Sequence, residues 1–208
     1  NEFASERAMA SRFIVDSLCY LAKEYKLDGF RFDLMGLLDI HTLNTASEKL
    51  RRINPSIILY GEGWTGGKSP LPEKLRAMKK NAVQLPQYAM FSDDFRDGVK
   101  GSVFEDEECG YVNGNASELS EMMKSVISGG IYRMDVQRKR SECWTDTPQQ
   151  VVNYVEAHDN LTLFDKLRIS MPEASGQERV SVDKLAAALV FLSEGIPFMQ
   201  AGQEILRS

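Results

Sequence analysis

Apolar and polar positions along this chain switch between two periods. Over about residues 5 to 25, Met9, Phe13, Leu18, Leu21 and Tyr25 recur at helical spacing, while Arg7, Arg12, Asp16 and Lys23 fill the other side. That pattern predicts an amphipathic helix with the first five residues as its apolar stripe. In KLDGFRFDLMG the period changes. Asp28-Gly29 makes a turn, and Phe30 and Phe32 alternate with Arg31 and Asp33 as on a strand over 29–34.

A second helix is predicted over about 42–53, with Leu43, Ala46, Leu50 and Ile53 as its stripe. After Pro55, SIILYGEGW opens an almost continuously apolar strand over 57–61, of the kind buried on both faces. The next expectations are a charged helix over 72–80, a strand at AVQLP (82–86) and irregular chain over 92–115, including the acidic run 105–108. Leu119, Met122, Met123, Val126 and Ile127 then restore helical spacing. QVVNYVEAHDN gives a strand over 150–156, SVDKLAAALVFLSEG a helix, and IPFMQAGQE a last strand over 196–200.

Helix and strand in repeated alternation predict an α/β domain with a parallel sheet. A doubly wound sheet and a (β/α)8 TIM barrel both satisfy that order. Asp33, Glu62 and His158-Asp159 each follow a strand signal, and polar residues supplied by several strand ends favour the barrel. Five strand signals are present where closure needs eight, so the chain reads as part of a barrel whose remaining strands precede Asn1. Residues 1–208 are expected to form one partial catalytic domain with an irregular insertion at about 92–147, because no repeat or low-complexity linker divides them.

Composition narrows the functional classes. With 43% hydrophobic residues there is material for a sizeable core, and 25 Lys plus Arg against 30 Asp plus Glu leave a formal charge of -5. Such a chain has no general pull toward phosphate backbones or anionic lipid, so neither nucleic acid nor membrane is an expected partner. Three cysteines without a CxxC pair support neither a disulfide framework nor a cysteine-built zinc site. They tilt the compartment toward a reducing one, the cytoplasm ahead of secretion.

The candidate chemistry is carboxylic. Arg31 and Asp33 share a strand face at period two, so they can form a structural ion pair; a cationic neighbour also favours the charged form that a carboxylate nucleophile needs. Glu62 lies between Gly61 and Gly63 beside Trp64. Those glycines can admit a ligand to the backbone, and the indole can shield a proton-donating acid. His158 is followed by Asp159, an ionised partner, and by Asn160, a cap for the next helix. Glu156 is expected to support the strand end by pairing with a basic or hydroxyl group. His41 sits at a helix start, HExxH is absent, and no metal site is expected. Three strand-end carboxylates suit glycosyl transfer or hydrolysis, with one attacking the sugar carbon, one protonating the departing oxygen and one stabilising positive charge.

At these residues the sequence resembles the α-amylase superfamily of glycoside hydrolases, and within it the pullulanase type I debranching enzymes. DGFRFDLMG resembles the segment with the nucleophilic Asp, here Asp33, and its arginine, here Arg31. YGEGW resembles the segment with the general acid/base, here Glu62, with Trp64 following. YVEAHDN resembles the segment with the transition-state-stabilising Asp, here Asp159, and the sugar-contacting His158. GIPFMQAGQE resembles the last barrel strand.

The resemblance implies the C-terminal part of the barrel, from the helix before strand four through strand eight. The block that the family carries at the end of strand three is absent here. The N-terminal barrel part is therefore an expected requirement, and the isolated segment is expected to be inactive.

The implied reaction is retaining hydrolysis of α-1,6-glucosidic branch linkages in pullulan, limit dextrin, amylopectin or glycogen. The expected partner is a branched α-glucan or maltooligosaccharide, bound through Arg31, His158, Trp64 and Asn160. No cofactor is required for the chemistry, and a structural calcium elsewhere is left open. Leu34-Met35-Gly36 departs from the lysine-histidine pair of many α-1,4-acting relatives, and Phe91, Asp93, Asp94, Phe95 and Arg96 are expected to border the acceptor side. The alternatives are another α-glucan hydrolase or transglycosylase of the superfamily and a non-catalytic carbohydrate-binding relative.

Overall fold

The computed structural model describes residues 3–136 and 140–208. The expected insertion at 92–147 thus contains three residues, 137–139, outside the described ones. The chain divides into two compact units, residues 1–91 and 92–208.

The first unit opens with α1 (Ala8–Glu24), β1 (Gly29–Phe32), α2 (Ile40–Ile53) and β2 (Ile58–Gly61), followed by β3 (Ala89–Phe91). Its strands are parallel, with Phe32 beside Gly61 and Gly61 beside Met90. α2 buries Leu43, Ala46 and Leu50, as its periodicity predicts. Asp39 caps it by accepting from Thr42 N at 2.9 Å.

α1 occupies its expected residues but turns differently. Val15 and Ala22 are its buried positions, whereas Met9, Phe13 and Tyr25 are exposed. Ser11 lies on the covered side, its hydroxyl accepting from Thr42 Oγ1 at 2.8 Å. α1 meets α2 through that side, while Leu18 and Leu21 of the predicted stripe are half-buried.

Two sequence expectations in this unit fail for identifiable reasons. Residues 72–80 do not form one helix: short 3-10 turns cover Glu73–Leu75 and Lys79–Gln84, while Arg76 bridges antiparallel to Asp39. Ala77 N donates to Leu38 O at 2.9 Å, and Asn81 Nδ2 to Glu73 O and Arg76 O. The backbone between the two turns is thus committed to a neighbouring segment. AVQLP is likewise no strand. Ala82 and Leu85 are buried from within the turn, and the strand starts three residues after Pro86, at Ala89. Tyr88 links this segment to α2 by donating to Leu43 O at 2.7 Å.

The second unit contains α3 (Asp93–Lys100), α4 (Ala116–Ile127), β4 (Val151–Asn153), α5 (Leu163–Ser170), α6 (Gly176–Leu192) and β5 (Ile196–Pro197). β4 and β5 are parallel. Its core joins Phe95, Val99, Met123, Val126, Val155, Leu163, Leu167, Ala186 and Val190, with Leu119, Met122 and Ile127 packed against it.

The segment expected to be irregular over 92–115 therefore contains a helix. Ser92 accepts from Phe95 N at 3.2 Å, Asp93 and Asp94 occupy the first turn, and Gly101 at φ 87° ends it. Phe95, expected near the acceptor side, is instead a fully buried core residue.

Candidate active site

Asp33 follows the last residue of β1 and Glu62 the last residue of β2. Because the strands are parallel with Phe32 beside Gly61, the two carboxylates leave neighbouring strand ends; Glu62 N donates to Phe32 O at 3.0 Å. One guanidinium serves both. Arg31 donates through Nη1 to Asp33 Oδ1 and through Nη2 to Glu62 Oε1, the latter at 2.9 Å. The second oxygen of Glu62 accepts from Leu34 N at 2.7 Å.

The sequence pairs Arg31 with Asp33 correctly but does not reveal the bond to Glu62 or the Leu34 amide. Leu34 lies in the left-handed region at φ 42°, an uncommon conformation for a branched residue. It turns the backbone donor toward the carboxylate, and no composition or period signal marks it.

The two acids sit in opposite environments. The Glu62 side chain is 7% exposed and that of Asp33 65%, with Arg31 between them at 24%. A buried carboxyl group needs hydrogen-bond partners, and Arg31 and the Leu34 amide supply them. Asp33 meets solvent on its open side.

The glycines beside Glu62 let neighbouring elements pack closely. A Cβ on Gly61 would lie 2.5 Å from Phe32 O, and one on Gly63 would lie 2.6 Å from Lys79 Cγ and 2.8 Å from Met90 Sδ. Trp64 is half-buried, and Lys79 Nζ stands 5.8 Å from its ring centroid.

In the second unit His158, Asp159 and Asn160 are exposed on the loop after β4. His158 Nε2 lies 3.6 Å from Asp159 Oδ2, as the adjacent pair suggests. Asn160 does not cap the following helix. Thr162 does, accepting from Asp165 N at 3.2 Å, while Asn160 holds a left-handed turn at φ 64°.

Glu156 has a backbone partner where a side-chain partner was expected: it accepts from Leu163 N. Burial raises its pKa, opposed by that amide and by Lys100. Burial also lowers Lys100 to about 8 and raises Asp183, on α6, to about 6, with Glu156 adding to the latter.

Among the described residues, no group of three or more His, Cys, Asp or Glu side chains is placed to hold a metal ion. Among the same residues, no helix is long and apolar enough to cross a membrane.

Parallel strands alternating with helices define an α/β protein, with Asp33 and Glu62 directly following two adjacent strands. No family model matches the chain. In sequence it is similar over its whole length to the pullulanase of Bacillus subtilis strain 168, at 39% identity over 208 residues. In fold it is similar to the crystal structure of pullulanase from Anoxybacillus sp. LM18-11 complexed with maltotriose, with a TM-score of 0.91 and 44% identity over 99% of the chain. It is also similar to pullulanase type I from Bacillus subtilis str. 168 complexed with maltose, with a TM-score of 0.92 and 39% identity over 99% of the chain. The chain spans 28% of the length of each of these proteins.

Proposed function

We propose that this chain carries the catalytic residues of a retaining glycoside hydrolase of the α-amylase superfamily that cleaves α-1,6 branch linkages in α-glucans. The observation that carries the reading is the single guanidinium holding two carboxylates at adjacent parallel strand ends. Retention calls for carboxyl groups about 5 to 5.5 Å apart, and adjacent strands run about 4.7 to 4.9 Å apart.

Asp33, open to solvent, attacks the anomeric carbon as the glycosidic bond breaks. Glu62 gives its proton to the departing oxygen, leaving a glucosyl ester on Asp33. Glu62 then takes a proton from water, whose oxygen attacks the same carbon and restores both acids. Asp159 exchanges no proton. It supplies fixed negative charge as the ring becomes oxocarbenium-like, with His158 and Asn160 beside it on the loop. Trp64 offers an apolar face to a sugar ring, and the chemistry draws on carboxyl groups without a cofactor.

The maltose and maltotriose complexed with the structural relatives support a maltooligosaccharide ligand. The activity is assigned to the longer polypeptide that contains this segment, in line with the 28% span. NMR of the first sugar anomer released from pullulan by that polypeptide tests the reading. An α-anomer formed first is the expected result. A β-anomer, or no release of reducing ends, would overturn it, and longer transfer products would point to a transglycosylase.

A further inference from the structure

The loop 157–162 presents His158, Asp159 and Asn160 to solvent, so burial of those side chains does not fix its position. Its two ends are held by buried charges. Glu156, 2% exposed, accepts from Leu163 N at the start of α5. Lys100, also 2% exposed, comes from the end of α3 and reaches Leu161 O through Nζ at 3.5 Å.

The Leu163 amide is one of the donors that a helix start leaves open, and because Leu163 is fully buried Glu156 stands there in place of water. Burying an ammonium and a carboxylate costs free energy unless each is matched, and Glu156 Oε1 has no hydrogen-bond partner among the described residues. The charges around Glu156 come from four places: Lys100 on α3, Asp165 on α5, Asp183 on α6 and Arg207 near the chain end. This is an arrangement built around the loop ends.

We propose that Glu156 and Lys100 are positioning residues that clamp the loop 157–162 and thereby set where the Asp159 carboxylate stands during glycosyl transfer. The inference rests on the stabilising role given to Asp159 above. Displacement of a charge-stabilising group by about 1 Å costs up to about 100-fold in rate, whereas sugar binding through other contacts is largely spared.

The test uses the complete polypeptide with pullulan as substrate, measuring kcat and KM together with amide hydrogen exchange over residues 157–163. Glu156→Ala is expected to lower kcat by about 10- to 100-fold with KM within about threefold, and to speed exchange at Leu163. Glu156→Gln, which keeps an acceptor for that amide, is expected to recover most of the loss. Lys100→Met is expected to act in the same direction at Leu161. If Glu156→Ala does not fold, the Gln and Met variants carry the test.

An unchanged kcat in Glu156→Ala, or in Lys100→Met when the alanine variant is lost, would overturn the clamp. A fall in kcat without faster loop exchange would also overturn it. Asp159→Ala distinguishes the two levels: if that variant keeps full activity the Asp159 assignment falls, whereas an inactive Asp159→Ala beside a fully active Glu156→Ala removes the clamp alone.

Discussion

Glu62 directly follows β2 whereas Asp159 lies six residues beyond the end of β4, and their surroundings have little in common. Glu62 is 7% exposed and both of its oxygens are bonded, one to Arg31 and the other to the Leu34 amide. Asp159 is 63% exposed and has His158 at 3.6 Å. The first acid is held through its own carboxylate, whereas the loop that carries the second is bonded through its backbone at Leu161 and Leu163. Substitutions that remove a bond should therefore act directly on the first region, whereas the second should respond most to changes at its loop ends.

The largest effects separate Asp33 from Glu62. In the complete enzyme, Asp33→Ala should abolish glycosyl-enzyme formation for every substrate, because no leaving-group acidity replaces a missing nucleophile. Glu62→Ala should lose about 10²- to 10⁴-fold on pullulan but much less of the first step on an activated aryl glycoside. Azide should then restore part of its turnover by attacking without a base. Rapid-mixing kinetics with and without azide provide the measurement. A Glu62→Ala enzyme equally inactive on both substrates and indifferent to azide would remove the acid/base assignment, and an active Asp33→Ala enzyme would remove the nucleophile.

The next effect tests the bridge. Arg31→Met leaves Glu62 buried without its charged partner and should lower kcat/KM by about 10- to 100-fold, since hydrogen bonds to charged groups are worth about 1.5 to 3 kcal/mol. Arg31→Lys should recover little, because an ammonium does not reproduce two parallel bonds from one planar fork. Recovery to within about threefold by lysine would mean that charge alone matters and that the shared guanidinium geometry does not.

The same contrast explains what the sequence makes legible. RFD and GEG place a cation and two acids at strand ends, and period-two spacing pairs Arg31 with Asp33. Parallel pairing, the α2 face and the α4 face follow from short-range patterns of the same kind. What remains hidden depends on contacts distant in the chain. Leu38 and Asp39 occupy the backbone around Arg76 and break the helix expected at 72–80. The covered side of α1 includes Ser11, bonded to Thr42, and not the exposed Met9 and Phe13 of its stripe. The capping signals of α3 and α5, at Ser92 and Thr162, are present in the sequence but sit in charged segments whose apolar periods are too short to stand out. The Leu34 amide needs a left-handed leucine that no pattern specifies.

A smaller effect concerns pH in the second unit. Asp183 has its folded pKa raised from 3.8 to about 6, so between those values the native chain holds a proton that the unfolded chain has released. The relative stabilisation is complete below about pH 3.8 and is lost as pH rises through about 6. Asp183→Asn stays neutral throughout. Its stability relative to the unsubstituted protein should therefore improve on going from about pH 4.5 to about pH 7.5 in urea unfolding, and any fixed packing cost cancels from that comparison. An unchanged gap between the two proteins would show that Asp183 does not hold its proton in the folded state.

The smallest expected effect decides what Asn160 contributes to the exposed loop. Its φ of 64° is tolerated by asparagine and glycine but costs other residues about 1 kcal/mol or more. If Asn160 acts through its amide on the sugar, Asn160→Gly and Asn160→Ala should both raise KM, and by similar factors of about 2 to 10, the scale of one neutral hydrogen bond. If it acts by allowing the turn, Asn160→Gly should match the unsubstituted enzyme while Asn160→Ala loses kcat and shows faster exchange across 157–163. The substrate-contact reading predicts the first pattern, because Asn160 is exposed beside Asp159 and does not cap α5. Kinetics of the two variants on pullulan at matched folding are sufficient. A glycine enzyme with unaltered KM would transfer the role of Asn160 from its side chain to its backbone, leaving His158 and Asp159 as the sugar-facing side chains of that loop.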